Sequence, residues 1–498
     1  MSVDQKSSET PESPPETSGS SGWGMSRTSK LVIVILLIAS FVMILNETVM
    51  SVALPTLMEE FTVSAPTAQW LTTGFMLTMA VVIPATGLIL QRFTTRAVFI
   101  AAMSLFTAGT ALAAASSVFG MLIAARVVQA SGTAVMLPLL ITTVLTYVPA
   151  DRRGRVMSLI TIVISVAPAV GPTFSGFVLN SLSWRWMFLS VLPIALLALV
   201  VGGSMVKNLG ETKAVKFDVL SIVLSALAFG GLIYGLSSLG EAAEAGAPVP
   251  PAVPLAAGTV SLALFVWRQI LLQRTGSPLM DLRTFRNRDF LVGVVMLLLA
   301  MGTLFGALIL LPLYLQNVLG KTTLETGLVL LPGGLAMGLS APVIGRLFDR
   351  YGPRPLVIPG TFAIAISLGM LTQLGESTST GQVVVSHLLL MVGLGMAMTP
   401  LMTSALGSLE QDLYSHGSAI VNTLQQIAGA AGTALFVTLM TSATAANIES
   451  GMAPVAAEAE GISGALLWGA GLGVLAVAAS FLVRRPPTES APEGAPAH

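Results

Sequence analysis

The 498-residue chain has no cysteine, only three histidines, and charged side chains at only 10% of its positions. The missing cysteines exclude disulfides, iron–sulfur clusters and thiolate metal sites. The histidines, His387, His416 and His498, are well separated in sequence, which disfavours a histidine-based metal centre. The charged fraction is less than half of the roughly 25% typical of soluble domains. These shortages predict an integral membrane protein that uses no metal or other cofactor.

Further absences narrow the function. The formal net charge is zero, so the bulk charge indicates no nucleic-acid partner. No Gly-x-x-x-x-Gly-Lys-Ser/Thr segment is present, which disfavours a nucleotide-driven pump within this chain. An intramembrane enzyme would need clustered nucleophiles or a metal motif such as His-Glu-x-x-His, and the sequence contains neither. We therefore expect a protein that is not an enzyme.

Long apolar runs dominate what is present, because 54% of the residues are hydrophobic. A helix that crosses a bilayer needs about 20 mostly apolar residues. This window predicts an all-α membrane protein with fourteen spans, at residues 31–56, 68–90, 97–115, 119–146, 156–179, 185–205, 218–239, 252–272, 289–314, 325–345, 354–374, 383–407, 417–441 and 462–483.

The two ends of the chain are polar. Residues 1–29 are rich in Ser, Pro, Glu and Thr, a composition that predicts a disordered tail, and residues 485–498 form a second tail. Lys and Arg gather in alternate connections between the spans, which marks those connections as cytoplasmic. Lys321 and the connection at Glu410 and Asp412 depart from this alternation. The pattern places both termini in the cytoplasm.

A short pattern repeats after the second and the tenth spans. Gly, Arg and Arg fall at the same offsets in both copies, at Gly87, Arg92 and Arg96, and again at Gly345, Arg350 and Arg354. Two related halves are typical of transporters with a binding site between the halves. We expect a six-helix bundle over 30–206, two inserted helices over 207–287 and a second six-helix bundle over 288–484. A channel would not explain this repeat.

One acid lies inside an apolar span. Glu47 follows Asn46 in the first span, and an ionisable group at such depth is a functional-site hypothesis by default. Counting helix rise from the span ends places Glu47 about 15 Å and Arg126 about 12 Å deep, so the two could face each other. Burial favours the neutral acid whereas a nearby guanidinium favours the carboxylate, so the group could bind and release a proton. A static Glu–Arg pair that joins helices remains an alternative.

Several motifs resemble the major facilitator superfamily, specifically its fourteen-helix drug:proton antiporter branch. Residues 345–354, GRLFDRYGPR, are similar to the cytoplasmic loop motif of the family, and the copy at residue 87 has Gln91 and Thr94 instead of Asp and Gly. Arg126 and Gln129 match the pattern of the fourth span. Residues 45–55, LNETVMSVALP, resemble the signature of the first span in its lincosamide-type form, with Asn46 where most relatives have Asp.

The resemblance implies roles for particular residues. Glu47, Arg126 and Asn46 would serve proton coupling. The loop motif implies gating by Gly87, Arg92, Arg96, Gly345, Asp349, Arg350, Gly352 and Arg354. The fifth span resembles the antiporter motif of exporters at Pro168, Gly171, Pro172 and Gly176. By themselves, these prolines and glycines also fit a plain packing kink.

The resemblance also implies a function. It predicts a monomeric multi-pass transporter of the cell membrane that exports amphipathic or cationic drugs in exchange for protons by alternating access. The alternative is a transporter of the same fold that exports an endogenous metabolite, a lipid or a siderophore. Polar or flexible side chains in the spans are candidates for substrate contact, and interhelical hydrogen bonds explain them equally well: Gln129, Met76, Tyr314, Gln316, Asn317, Asn422 and Gln426.

Overall fold

The computed structural model describes residues 27–148, 150–206, 208, 218–244, 249–274, 278–410 and 413–484. Both predicted tails lie outside this part, except for residues 27–29, which begin the first helix. The helices are α1 (Arg27–Thr48), α2 (Met50–Phe61), α3 (Ala65–Ala68), α4 (Trp70–Arg92), α5 (Thr95–Ala114), α6 (Phe119–Tyr147), α7 (Ala150–Ser181), α8 (Trp186–Leu189), α9 (Val191–Met205), α10 (Val219–Glu244), α11 (Ala252–Gln273), α12 (Arg288–Leu313), α13 (Thr323–Tyr351), α14 (Arg354–Leu371), α15 (Thr380–Gly407), α16 (Tyr414–Glu449) and α17 (Pro454–Ser480).

Thirteen helical segments of the described residues are long and apolar enough to cross a membrane. The remaining predicted span, the fifth, at 156–179, lies in α7, and several side chains of that helix are outside the described part. The chain is thus a multi-pass, all-helical membrane protein. The domain bounds at 30–206, 207–287 and 288–484 remain predictions.

Two details differ from the sequence prediction. The first predicted span is not one helix, because α1 ends at Thr48 and α2 begins at Met50. Near this break the Thr48 hydroxyl donates to the Leu45 carbonyl (3.2 Å) and the Ser51 hydroxyl to the Thr48 carbonyl (2.8 Å). Such local side-chain bonds compete with the helical ladder. The break at Val49 falls two residues after Glu47.

The predicted gating loops are also largely helical. Gly87 and Arg92 lie in α4, Arg96 and Arg354 lie in the first turns of α5 and α14, and Gly345, Asp349 and Arg350 lie in α13. Gly87 and Gly345 lie inside α4 and α13 without ending them, and these helices run on to Arg92 and Tyr351. The second chain reversal comes only at Gly352, whose φ of +80° suits a residue without a Cβ.

The fold has two similar halves. The first half contains α1, α4, α5, α6, α7 and α9, and the second contains α12 to α17. In each half the third long helix packs on the fourth and the sixth: α5 on α6 and α9, and α14 on α15 and α17. Across the interface, the second helix of each half packs against the fifth helix of the other, as α4 against α16 and α13 against α7. This is the arrangement expected from a pseudo-two-fold repeat.

The last arginine of the repeated pattern has the same structural role in both halves. The Arg96 Nε donates to the Gly203 carbonyl near the end of α9 (2.8 Å). An Arg354 Nη donates to the Phe481 carbonyl, directly after α17 (3.2 Å). Carbonyls at helix C-termini lack partners within the helix, so each arginine satisfies one and ties the third helix to the sixth.

The inserted pair, α10 and α11, packs on itself, and α10 also contacts α4 and α16. At one end the pair is closed by the Asp218–Arg268 ion pair, with an N···O distance of 2.6 Å. Beside it, the Gln269 amide donates to the Ser221 hydroxyl (2.7 Å). Through α10, the pair lies beside the contact between α4 of the first half and α16 of the second half.

The halves meet most closely where α7 crosses α13. A Cβ on Gly176 would overlap the Thr323 carbonyl oxygen, and one on Gly327 would come within 2.9 Å of the Pro172 carbonyl. The Thr173 hydroxyl donates to the Gly327 carbonyl (3.0 Å). Glycines at both contacts let the backbones approach, as is typical of packed membrane helices. This crossing lies at the end of the bundle that contains Thr323.

Candidate functional site

A cavity of about 220 Å³ lies between the two halves. Its wall contains residues of α1, α4, α6 and α7 from the first half and of α12, α13, α15 and α16 from the second. Most of the wall is apolar, including seven methionines: Met43, Met79, Met136, Met301, Met337, Met391 and Met398. Its polar members are Ser40, Glu47, Thr48, Thr133, His387, Asn422, Gln425 and Gln426. Glu47 is the only acid among the described residues of this wall.

Arg126 does not bind the Glu47 side chain directly. Its Nε donates to the Leu71 carbonyl (3.2 Å), and its Nη1 donates to the Asn46 amide oxygen (2.6 Å). The same Nη1 donates to the Gln129 amide oxygen (3.1 Å), while Nη2 faces the backbone carbonyl of Glu47 (3.5 Å). The guanidinium therefore ties α1, α4 and α6 together, and Asn46 is its closest partner.

This cluster is buried and extends to α5. Arg126 is only 1% exposed, and its guanidinium carbon lies 4.1 Å from the centre of the Phe75 ring. The Gln129 amide nitrogen donates to the Thr110 hydroxyl (2.9 Å), which extends the hydrogen-bond network to α5. A buried guanidinium needs such partners, since it does not lose its proton. The cluster thus fixes α1 immediately beside Glu47.

The Glu47 carboxyl group faces the second half. It is 8% exposed and lines the cavity, where the Gln426 side chain of α16 is its neighbour. Arg126 lies close enough to act on it electrostatically. Asn46 and Glu47 are consecutive, so their side chains differ in direction by about 100° around α1. One residue therefore holds Arg126 while the next is presented to the cavity.

The motif of the fifth span supports α1 at this point. A Cβ on Gly171 would overlap the Thr48 hydroxyl and come within 3.2 Å of the Leu45 carbonyl. Pro168 and Pro172 of the same helix line the cavity, and Gly176 faces α13. The motif therefore spans the distance between the Glu47 segment and the α7–α13 crossing.

Replacing Arg126 by Lys tests this cluster. The planar guanidinium donates to oxygen atoms of Leu71, Asn46 and Gln129 at the same time. A lysine ammonium cannot reproduce this geometry, so buried acceptors lose a charged donor. We expect the variant to be destabilised by about 3 kcal/mol, measured as a lower melting temperature of the purified protein in detergent. The control is Arg346→Lys, at an exposed position near the end of α13, where the substitution should cost less than about 1 kcal/mol. Equal melting of both variants would contradict the role given to Arg126.

The structure separates the candidate substrate contacts into two groups. Asn422 and Gln426 lie on the cavity wall. The others contact protein instead: Gln129 binds Arg126 and Thr110, Met76 packs at the α4–α16 contact near Gly429, Tyr314 donates to the Gly375 carbonyl, Gln316 to the Val52 carbonyl and Asn317 to Glu458. Tyr314, Gln316 and Asn317 belong to a π-helical turn that follows α12.

The gating candidates lie away from the cavity, at the end of the bundle opposite the Thr323 end. Gln91 and Arg92 are exposed at the end of α4, and Asp349 and Arg350 are exposed at the end of α13. The Arg350 guanidinium lies over the Tyr351 ring, 5.1 Å from its centre. The two copies of the repeated pattern thus occupy equivalent positions in the two halves.

Sequence reasoning selected neither His387 nor any of the seven methionines of the cavity wall. Both had a visible signal, because His387, Met391 and Met398 fall on one face of α15 at helical spacing. A polar residue within an apolar span is also a functional candidate in its own right. Which face of α15 meets the cavity, however, depends on how the two halves pack together, and the sequence alone does not specify this packing.

The two-fold helical fold and the cavity between its halves define a membrane transport protein. The sequence profile of the Major Facilitator Superfamily matches residues 36–433. The chain belongs to this family, which is a class of transporters. A crystal structure of a bacterial homologue of the human lysosomal transporter Spinster, inward-facing and unoccupied, superposes with a TM-score of 0.65, covering 92% of this chain and 98% of that one. At 12% identity, that likeness supports the fold alone.

Other relatives are much more similar in sequence. The chain is 42% identical to the lincomycin resistance protein LmrB of Listeria monocytogenes over 459 residues, which is 91% of this chain and 96% of that protein. It is 41% identical to LmrB of Bacillus subtilis, covering 82% and 85% of the two chains. It is 32% identical to the multidrug resistance protein B homolog of Mycobacterium tuberculosis, covering 84% and 76%.

Proposed function

We propose that this protein exports amphipathic or cationic drugs in exchange for protons, by alternating access. The observation that carries the proposal is the position of Glu47, the single described acid on the wall of an otherwise apolar cavity. A carboxylate there attracts a cation, and the same carboxylate binds a proton. Drug and proton therefore compete for one group. The names of the relatives, which refer to lincomycin and multidrug resistance, support a drug as the cargo.

The methionine-rich wall suits a variable cargo. A cavity of about 220 Å³ is smaller than typical ligand pockets of about 300–1,000 Å³. Methionine is unbranched and flexible, so seven such side chains can rearrange around guests of different shape. Asn422, Gln425 and Gln426 add uncharged hydrogen-bonding groups on α16. This combination favours amphipathic molecules over strongly polar ones.

In the proposed cycle, the two halves rock around the cavity. The basic connections mark the Arg350 end and both termini as cytoplasmic. The α7–α13 crossing then closes the outer side, and a cation enters from the cytoplasm as Glu47 releases its proton inward. When the halves rock apart at the crossing, an outside proton neutralises Glu47 and the drug leaves. Arg126 and Asn46 hold α1 throughout this exchange.

The remaining assignments follow the same scheme. The segments 30–206 and 288–484 act as the moving halves, and 207–287 supplies the inserted helices beside them. The arginines and Asp349 at the ends of α4 and α13 gate the cytoplasmic side. The antiporter motif of α7, which touches both α1 and α13, transmits the movement between Glu47 and the outer crossing. A single chain holds the whole cavity, which supports a monomeric transporter.

Transport in everted membrane vesicles tests the proposal. With an imposed pH gradient, acid inside, we expect accumulation of a cationic fluorescent drug in vesicles that contain the protein. Collapsing the gradient with a protonophore should return accumulation to the level of vesicles without the protein. Accumulation that ignores the gradient would contradict proton coupling. If no drug moves but a metabolite, lipid or siderophore does, the cargo is endogenous.

A further inference from the structure

His387 is a buried polar side chain with no assigned role. It lies on α15 in the second half, is only 5% exposed, and shares the cavity wall with Glu47 of the first half. Its Nδ1 atom is inaccessible and has no hydrogen-bond partner among the described residues. A buried polar atom without a partner is uncommon in native proteins, and each case requires an explanation.

The ring of His387 is held in a defined place. A Cβ on Gly333 of α13 would overlap Nδ1 and come within 2.7 Å of the ring carbon Cε1. The backbone of α15 is fixed as well, because the Ser367 hydroxyl donates to the carbonyl of neighbouring Ser386 (2.6 Å). Met391 packs against the same face of α13, where a Gly333 Cβ would be 3.0 Å from its Cγ. The imidazole is therefore pre-positioned against the cavity.

A purely structural histidine would use a ring nitrogen to tie two helices together. Here the backbone at Gly333 and the side chain of Met391 surround the ring, and neither provides a hydrogen bond to it in the described part of the chain. The wall nearby continues with Leu330, Gly334 and Met337. A leucine or phenylalanine would fill this place without a desolvation cost. The imidazole is thus best explained by a partner that is not part of the protein.

We infer that His387 is a second polar contact of the cargo site, which binds a hydroxyl or amide group of an amphipathic cation whose charge lies at Glu47. Because Nδ1 is packed against Gly333, the other ring nitrogen, Nε2, is the one left for the cargo. In a neutral imidazole Nε2 either donates or accepts a hydrogen bond, and a hydroxyl can complement it in either tautomer. The methionines between the two contacts accommodate the apolar body of the same molecule. This inference rests on the proposed function, since it assumes that cations enter the cavity.

A matched pair of cations tests the inference. We suggest benzyltriphenylphosphonium and its derivative with a hydroxymethyl group on the benzyl ring, which differ by one hydrogen-bonding group. Transport of each is measured as kcat/KM in proteoliposomes containing the purified full-length protein. The parent should prefer the hydroxymethyl compound by about tenfold, the value of one buried hydrogen bond. The His387→Phe variant should lower this ratio to about one.

The controls separate binding from structure. Transport of the hydroxyl-free cation should stay within about twofold of the parent in His387→Phe, which shows that the variant is folded. His387→Gln, which retains a hydrogen-bonding group, should keep part of the preference. Met402→Leu, on the same helix but outside the cavity wall, should leave the ratio unchanged. If the phenylalanine ring is not tolerated against Gly333, His387→Leu provides the same comparison.

The outcomes are distinct. A parent that exports both cations without preference, or a His387→Phe variant that keeps the preference, overturns the inference while the proposed export stands. A parent that exports neither cation overturns the proposed function for cations, and the inference with it. Loss of preference in His387→Phe together with unchanged transport of the hydroxyl-free compound supports the inference.

Discussion

Glu47→Gln should abolish drug export that is driven by a pH gradient. Glutamine preserves the shape of the side chain but neither releases a proton nor bears a negative charge. Binding of a cationic drug should weaken by about 10- to 100-fold, because a charge-assisted contact of about 1.5–3 kcal/mol is lost. Vesicle accumulation should fall to the background level. Binding is measured on the purified protein and accumulation in everted vesicles.

Three comparisons make this result specific. Glu376→Gln applies the same substitution to an exposed acid in the turn after α14, and it should transport as the parent does. Glu47→Asp keeps an ionisable group and should retain measurable transport. An uncharged drug should bind Glu47→Gln about as well as the parent, since it makes no ionic contact. Gradient-driven export that persists undiminished in Glu47→Gln would remove Glu47 from proton coupling.

Cross-linking α7 to α13 should stop transport completely. The double variant Thr173→Cys/Thr323→Cys places thiols beside the α7–α13 crossing at the Thr323 end. The chain has no native cysteine, so a short bifunctional thiosulfonate reagent can join only these two positions. Alternating access requires this crossing to open, and the link prevents it. Drug export should fall by at least about tenfold and recover when a reductant cleaves the link.

A pair within one half serves as the matched control. The Ser463 hydroxyl donates to the Thr372 carbonyl, where α17 meets the end of α14, and both helices belong to the second half. Linking Thr372→Cys to Ser463→Cys should leave export intact, because the half moves as one body. Export that survives the α7–α13 link would show that this crossing does not open during transport.

The fold followed from the sequence to a large degree. Apolar runs of about 20 residues have few alternatives to a membrane helix, because backbone polar groups must be satisfied within the segment. The repeated Gly-Arg-Arg spacing indicated two related halves, and Arg96 and Arg354 indeed occupy matching places. Where individual helices break or end could not be predicted from the sequence, because this depends on local hydrogen bonds. The break after Thr48 and the continuation of α13 through Asp349 depend on single turns, which hydropathy does not resolve.

The site was accessible to sequence reasoning only in part. Glu47 and Arg126 were selected because ionisable groups are costly within a bilayer. Their similar depth suggested a direct pair, but depth leaves the direction around the helix open. In the structure Asn46 takes the Arg126 contact, and Glu47 points to the cavity and Gln426. A difference of one position, about 100° around α1, separates the two roles.

The amino-acid order alone therefore determined the membrane setting, the number of long helices and the presence of a buried acid, because each depends on composition within one segment. Tertiary structure decided which faces meet. His387, the seven methionines and Gln426 come from seven helices of both halves, and only the packing of the halves makes them one wall. Contacts between segments hundreds of residues apart depend on helix rotation and crossing, which the periodicity of a single helix does not specify.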